Sequence, residues 1–250
     1  MQLRRSHLLP HLRPDMTGLE IGAYTRPTLA PADAAMRYLD YYSTEELREQ
    51  LQREGQSDES LVHVDYVVKH GRYSIRIPEK FDLIIANHVM EHCCNPIDWI
   101  NDLGSMLRSE GLLFLALPDK KFSFDKYRPD TDVSHLVYNY FSDEQSTSEE
   151  HALEVAMYYD LNYINMPMTI ERLDAERLRT EMKVIHPGLH VHVFQGETFL
   201  NKIIKPILLM QLCPFRIAEY VASTQYGEFY VILRKGWEKP DLTFEEFYSA

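Results

Sequence analysis

Cysteine is scarce in this chain, with three residues among 250; Cys93 and Cys94 are adjacent and Cys213 stands alone. That placement cannot build a disulfide framework, and it fits a reducing, cytoplasmic setting. Positive charge is also short: 26 Lys and Arg against 38 Asp and Glu leave a formal net charge of -12. Such a balance argues against a broad electrostatic grip on nucleic acid or on an anionic membrane. The cluster Arg4, Arg5 and Arg13 is followed at once by Asp15 and Glu20, so it reads as a solvated surface segment. Long apolar runs are missing too. Ile203 to Phe215 is interrupted by Lys205, Pro206 and Pro214 and is too short to span a bilayer, and Met1 to Asp15 carries charges and Pro10 where an export signal needs an unbroken apolar stretch. No internal repeat or low-complexity tract interrupts the chain. What is abundant is apolar side chain, 45% of residues, enough to bury the core of one large α/β domain spanning 1–250.

Leu19-Glu20-Ile21-Gly22 alternates and stops at glycine before a turn-rich stretch with Pro27 and Pro31, which predicts a strand entering a ligand-facing loop. Met36 to Tyr41 predicts a second strand, Glu45 to Gln52 a helix capped by Ser43 or Thr44, and the β-branched run Leu61 to Val68 a third strand. Phe81 to Asn87 has the continuous apolar character of a parallel strand covered on both faces. Asn95 and Pro96 then open a helix whose Ile100, Leu103 and Leu107 share a face and which Gly111 stops; Leu112 to Leu117 follows as a strand ending at Pro118. Strand, helix, strand at this spacing makes a right-handed parallel crossover. From Asp119 to about Gly188 the alternation lapses, and helical patterns near Glu149 to Tyr163 and Thr169 to Val184 predict an insertion. A helix from Gly196 to Met210 and strands at Arg216 to Ala222 and Glu228 to Leu233 close the chain, the last two as an antiparallel hairpin at the sheet edge.

In an open parallel sheet the ligand crevice lies beyond the carboxyl ends of the strands. Gly22, Asp40, Asn87 with His88, and Asp119 fall there. Gly22 lets backbone approach a ligand closely, and Glu20 could balance an ammonium or sulfonium directly or through water. Asp40 comes 18 residues after Gly22, near the spacing at which an acid accepts hydrogen bonds from a ribose diol, with a helix or turn cap as its other reading.

The run FDLIIANHVMEHCCNPIDWINDLGSMLRSEGLLFLALPD, Phe81 to Asp119, combines a Phe-Asp strand opening, an Asn-His-x-x-Glu-His stretch, a capped helix, a Leu-Arg-x-x-Gly turn and a proline-ended strand. It resembles the fourth- to fifth-strand core of class I S-adenosylmethionine-dependent methyltransferases. The resemblance extends over Thr17 to Pro118 and thinly over the closing helix and strands. It implies a Rossmann-like α/β fold: a seven-stranded, mostly parallel sheet with an antiparallel last strand and a mainly helical insertion, residues 119–188, after the fifth strand as a lid shaping the acceptor site. It also implies S-adenosylmethionine as cofactor, bound by Glu20, Gly22, Ala23, Asp40, Tyr41, Asn87 and His88. Two departures stand out. The family's glycine-rich loop reads Gly22-Ala23-Tyr24-Thr25-Arg26-Pro27 here, so either cofactor binding tolerates a bulkier loop or Tyr24 and Arg26 themselves contact ligand; and Lys69-His70 stands where such enzymes often place an acid for the adenine amino group. The run Pro118 to Pro129, with His135 beyond it, resembles a subgroup associated with bacterial surface-polysaccharide and glycosyl modification, which implies a sugar or other small polar acceptor.

A hydroxyl acceptor needs a general base, for which histidine is suited near neutral pH. His88, Asp119, His135 and His192 are the candidates; His151 also lies in the insertion, and His190-Val191-His192 puts two imidazoles on one face of an extended segment. His92, at the approach to the helix cap, reads as structural. His190 and His192 with nearby carboxylates could hold a divalent metal, but His-x-His without a third identified ligand assigns none. Tyr127 and Arg128 suit a polar acceptor pocket. Two rivals compete: a nicotinamide-dependent sugar reductase or epimerase, which lacks here both the full Gly-x-Gly-x-x-Gly turn and any Tyr-x-x-x-Lys pair, and a methyltransferase-like fold serving only as a binding protein.

Overall fold

The computed structural model describes residues 2–158, 189–224 and 226–248. Its centre is built from the two most apolar stretches of the chain, strands β4 (Phe81–Asn87) and β5 (Leu107–Pro118). Around them stand β1 (Thr17–Ile21), β2 (Ala35–Asp40), β3 (Tyr66–Val67), β6 (Phe215–Val221) and β7 (Glu228–Lys235). The seven strands lie in the order β3-β2-β1-β4-β5-β7-β6. β1 to β5 run parallel to one another, while β7 is antiparallel to both β5 and β6. The closing pair is thus a hairpin, with β7 inserted beside β5 and β6 left at the edge.

Because strand side chains alternate, each central strand feeds two cores. Ile84, Leu113 and Leu115 pack with Ile97, Ile100 and Leu103 of the helix Pro96–Met106 on one face, while Leu83, Ile85, Leu112 and Phe114 pack with Leu8, Met16 and Leu29 on the other. Each such side chain contributes roughly 1.5–3 kcal/mol by leaving water. Among the described residues the α-helices in chain order are α1 (Gln2–Leu8), α2 (Thr44–Arg53), α3 (Tyr73–Arg76), α4 (Pro96–Met106), α5 (Val133–Phe141), α6 (Glu149–Tyr158), α7 (Lys205–Leu209) and α8 (Phe244–Tyr248). Ser43, rather than Thr44, caps α2 through a reciprocal capping box with Glu46, and the Asn95 side chain caps α4 by accepting from Asp98 N. No helix among the described residues is long and apolar enough to cross a membrane.

Several boundaries differ from expectation for identifiable reasons. The third strand shrinks from Leu61–Val68 to Tyr66–Val67 because the earlier residues bond elsewhere: Val62 N donates to Tyr24 O and Val64 N to Thr44 Oγ1. Leu107 begins β5 instead of ending α4, since it pairs with Phe81, and the extra residues before Gly111 are taken up as a bulge with Glu110 at φ +60°. The closing helix starts as a π-helical turn, Leu200–Ile204, in which Lys205 N reaches back to Leu200 O, before Pro206 opens α7. The N-terminal arginines are not merely solvated: α1 carries Arg4 onto buried Glu228 and Arg5 onto Asp33. Between β5 and the segment resuming at Leu189, the structure describes α5 and α6, whereas the expected pattern at Thr169 to Val184 and the end of that at Glu149 to Tyr163 lie outside the described residues.

Candidate active site

The register brings the tips of three strands together. Ile21 lies opposite Leu39 on one side and Ala86 on the other, so the next residues, Gly22, Asp40 and Asn87, meet at one level. This is the switch point of the sheet, where the chain leaves β1 toward β2 and β3 and later returns to β4 on the opposite side. Gly22 takes φ +67°, and a Cβ built on it would meet nothing within 4 Å. Tyr24 (φ 51°) and His88 (φ 55°) adopt the same left-handed conformation without glycine's freedom. Ala23 is buried.

Asp40 presents its carboxylate at the tip of β2, where Oδ1 accepts from Tyr42 N at 3.0 Å; burial raises its pKa against the backbone bonds that lower it. The exposed Tyr41 beside it meets Tyr42 and His70 edge-on, at 4.9 and 5.9 Å between ring centroids. Lys69, bound to Glu46 at 3.0 Å, stands 5.6 Å from the Tyr41 centroid. The position after β3 therefore offers cationic and aromatic groups rather than an acid.

Glu20 is fully buried and committed to the protein itself. It accepts from Thr28 N, from Thr28 Oγ1 at 2.7 Å and from Asn87 Nδ2 at 3.0 Å, tying the end of the Gly22 loop to the tip of β4. Burial, which outweighs these bonds, pushes its carboxyl up to about 6. Asn87 Oδ1 and the Tyr24 hydroxyl are buried without a hydrogen-bond partner.

His88 Nε2 lies 2.9 Å from Glu228 Oε2, and Glu228 also receives the Arg4 guanidinium and the Tyr230 hydroxyl, the latter at 2.6 Å. Burial alone would push the Glu228 carboxyl up; hydrogen bonds from His88, Arg4 and Tyr230 overcome it and hold it at about 2. An ionised Glu228 accepts only, so His88 carries its proton on Nε2 and its lone pair on Nδ1. Asp119 is buried and accepts from Lys121 N at 3.0 Å and Gly196 N at 3.3 Å, capping the turn after β5 and fastening it to the segment before the closing helix.

Five further histidines fall into two groups among the described residues, each with its ligand-capable atoms within 4.8 Å of one another: His135, His151 and His192, and Glu91 with His92 and His190. His190 and His192, two positions apart, thus join different groups instead of sharing one. His135 Nε2 and His151 Nε2 are 3.2 Å apart. Buried His192 has its pKa lowered to about 3, burial being the main cause, and an Nδ1 without partner. Glu91 is fully buried with both oxygens unpartnered, and burial pushes it up to about 8. Arg128, also buried, does not line an open pocket; it binds Asp125 Oδ1, His190 O and Glu154. Tyr127 is exposed. Sequence reasoning missed Glu91, Asp125 and Glu228. The Glu91-His92 pair stood within the quoted motif, but nothing in linear order linked it to His190, and Asp125 and Glu228 had no spacing signal at all.

The model of a methyltransferase-domain family matches residues 1–199. No curated protein matches. Among solved structures, a chain from Rhodobacter sphaeroides provisionally named a Zn-dependent alcohol dehydrogenase shares the fold at 12% identity and TM-score 0.51, with 94% of this chain and 90% of that one covered. An S-adenosylmethionine-dependent methyltransferase from Clostridium acetobutylicum is 12% identical over 92% of this chain and 88% of that one, at TM-score 0.43. A mitomycin 7-O-methyltransferase is 12% identical over 94% of this chain, at TM-score 0.43; this chain spans 54% of that enzyme, about half its length.

Proposed function

Since the chain belongs to the methyltransferase-domain family, we propose that it binds S-adenosylmethionine in the crevice between β1, β2 and β4 and methylates a polar acceptor, a sugar or glycan hydroxyl. The observation that carries this reading is the meeting of Gly22, Tyr24 and His88, all left-handed, with Asp40 and Asn87 at one end of the sheet. Non-glycine residues held in that conformation cost of order 1–3 kcal/mol each and gather where a ligand is gripped. The donor set suits the group. Asp40 would accept from a ribose diol, Gly22 leaves space for close approach, and Asn87 Oδ1 and the Tyr24 hydroxyl are buried polar atoms for which a ligand would supply partners. Tyr41, with Lys69 and His70, would form the rim for the adenine. Glu20 acts at one remove, by holding the loop through Thr28.

S-adenosylmethionine, when bound, supplies a methyl group activated by its sulfonium. His88 Nδ1 takes the proton of the acceptor hydroxyl, and Glu228 keeps the imidazole in the tautomer that can do so and steadies the imidazolium that results. Asp119 holds the turn after β5. The polar acceptor is drawn from the likeness of Pro118 to Pro129 to glycan-modifying enzymes, and the described part of the insertion, α5 and α6, would shape its site.

Isothermal titration with S-adenosylhomocysteine, followed by transfer of labelled methyl to a panel of nucleotide sugars and oligosaccharides, tests the reading. Micromolar binding and labelled sugar are expected. Absence of binding, or stabilisation by a nicotinamide dinucleotide instead, overturns it.

A further inference from the structure

The ligand-capable atoms of Glu91, His92 and His190 gather within 4.8 Å of one another just beyond β4. His92 Nδ1 donates to Leu189 O at 2.9 Å, which leaves Nε2 as the bare nitrogen, 4.0 Å from Glu91 Oε1. His190 Nδ1 donates to Asp125 Oδ2 at 2.6 Å, which leaves its Nε2 bare as well. His88, whose Nε2 donates to Glu228, sets Nδ1 3.6 Å from the same Glu91 oxygen. Glu91 itself is fully buried, and neither of its oxygens has a donor.

We propose that Glu91, His92 and His190 form a divalent-cation site at the end of β4. Two imidazoles and one carboxylate suit a first-row cation such as zinc. Tetrahedral zinc holds such atoms roughly 3.5 Å from one another, so ligand atoms already within 4.8 Å need to draw in by only about 1 Å. The surroundings match what a metal-bound histidine requires: each imidazole has its far nitrogen fixed, one by a backbone carbonyl and one by a carboxylate, and Asp125 is in turn anchored by the buried Arg128 at 2.8 Å. The His92 ring keeps 34% side-chain exposure, so the site is closed beneath by Glu91 and open on the side of His92. A cation there would hold an acceptor oxygen beside His88. That role rests on the methyltransferase reading, whereas cation binding itself does not.

Full-length protein stripped with a chelator, then titrated with Zn²⁺ by calorimetry and with Co²⁺ by visible absorption, tests the site. One equivalent of Zn²⁺ and a Co²⁺ d–d band are expected. E91Q and H190Q should each abolish binding, and D125N should weaken it about 10–100-fold, with circular dichroism showing the variants folded. H135A should leave it unchanged. Absence of binding, or binding lost in H135A but kept in E91Q or H190Q, overturns the proposal. S-adenosylhomocysteine affinity measured on the same stripped sample separates the readings: if it is kept where Zn²⁺ fails to bind, only the cation site falls, and if it is absent where Zn²⁺ binds, the cation site stands without the methyltransferase.

Discussion

Replacing Arg4 with Met removes one of three partners from a buried carboxylate and leaves the packing of α1 nearly intact. Glu228 is 7% exposed and Arg4 18% in their side chains. Breaking a fully buried pair costs about 3–5 kcal/mol, but Glu228 keeps the Tyr230 hydroxyl and His88 Nε2, so the expected loss is about 2 kcal/mol, or about 4–8 °C in Tm for a domain of this size. The pH dependence is the sharper test. In the folded protein Glu228 titrates at about 2 and in the unfolded chain at about 4.3, a difference equivalent to about 3 kcal/mol at neutral pH. The folded value is the depressed one, so this stability is present in full above pH ~4.3 and about half of it is gone by pH ~3. In Arg4→Met the folded pKa climbs toward the ordinary value, so the stability gap between the two proteins must narrow as pH falls from 6 to 3. Denaturant unfolding followed by circular dichroism across that range measures it. A gap that stays constant with pH would refute the ion-pair argument and leave only lost packing.

The other predictions concern the crevice. Asp40→Ala should weaken S-adenosylhomocysteine binding by about 1–3 kcal/mol through loss of charge-assisted hydrogen bonds; an unchanged Kd in calorimetry removes Asp40 from the site. Gly22→Ala should lower stability by only about 1–2 kcal/mol, the cost of a left-handed Cβ with nothing to strike in the free protein, yet reduce S-adenosylhomocysteine affinity tenfold or more. Equal affinity in the variant would place the ligand elsewhere. Glu20→Gln should cost about 1–3 kcal/mol, since the amide turns a donor toward Thr28 N or Asn87 Nδ2; an unfolding midpoint within error of the parent would show that the loop is not held this way.

The elements legible in the chain were those whose signal is local. Phe81–Asn87 matched its strand residue for residue because an unbroken apolar run of that length has few other places to go. Ser43 and Asn95 acted as caps because a side chain reaching three residues ahead needs no help from the rest of the fold. Leu107 was misplaced for the opposite reason: it continues the helical stripe of Ile100 and Leu103 perfectly well, and only pairing with Phe81, 26 residues earlier, draws it into β5. The crevice divides in the same way. Gly22, Asp40, Asn87 and His88 were readable as strand-tip residues, whereas the commitment of Glu20 to Thr28 was not.

By itself, then, the sequence determined the succession of strands and helices, the residues at the strand ends and the membership of a methyltransferase family, all properties carried by short runs of neighbouring residues. Tertiary structure alone decided which tips adjoin, that Arg4 and Glu228 meet across 224 positions, and that His190 faces Glu91 while His192 faces His135. Those pairings are set by how the sheet stacks its strands and where the helices settle on it, and no local pattern encodes a contact whose two halves lie so far apart along the chain.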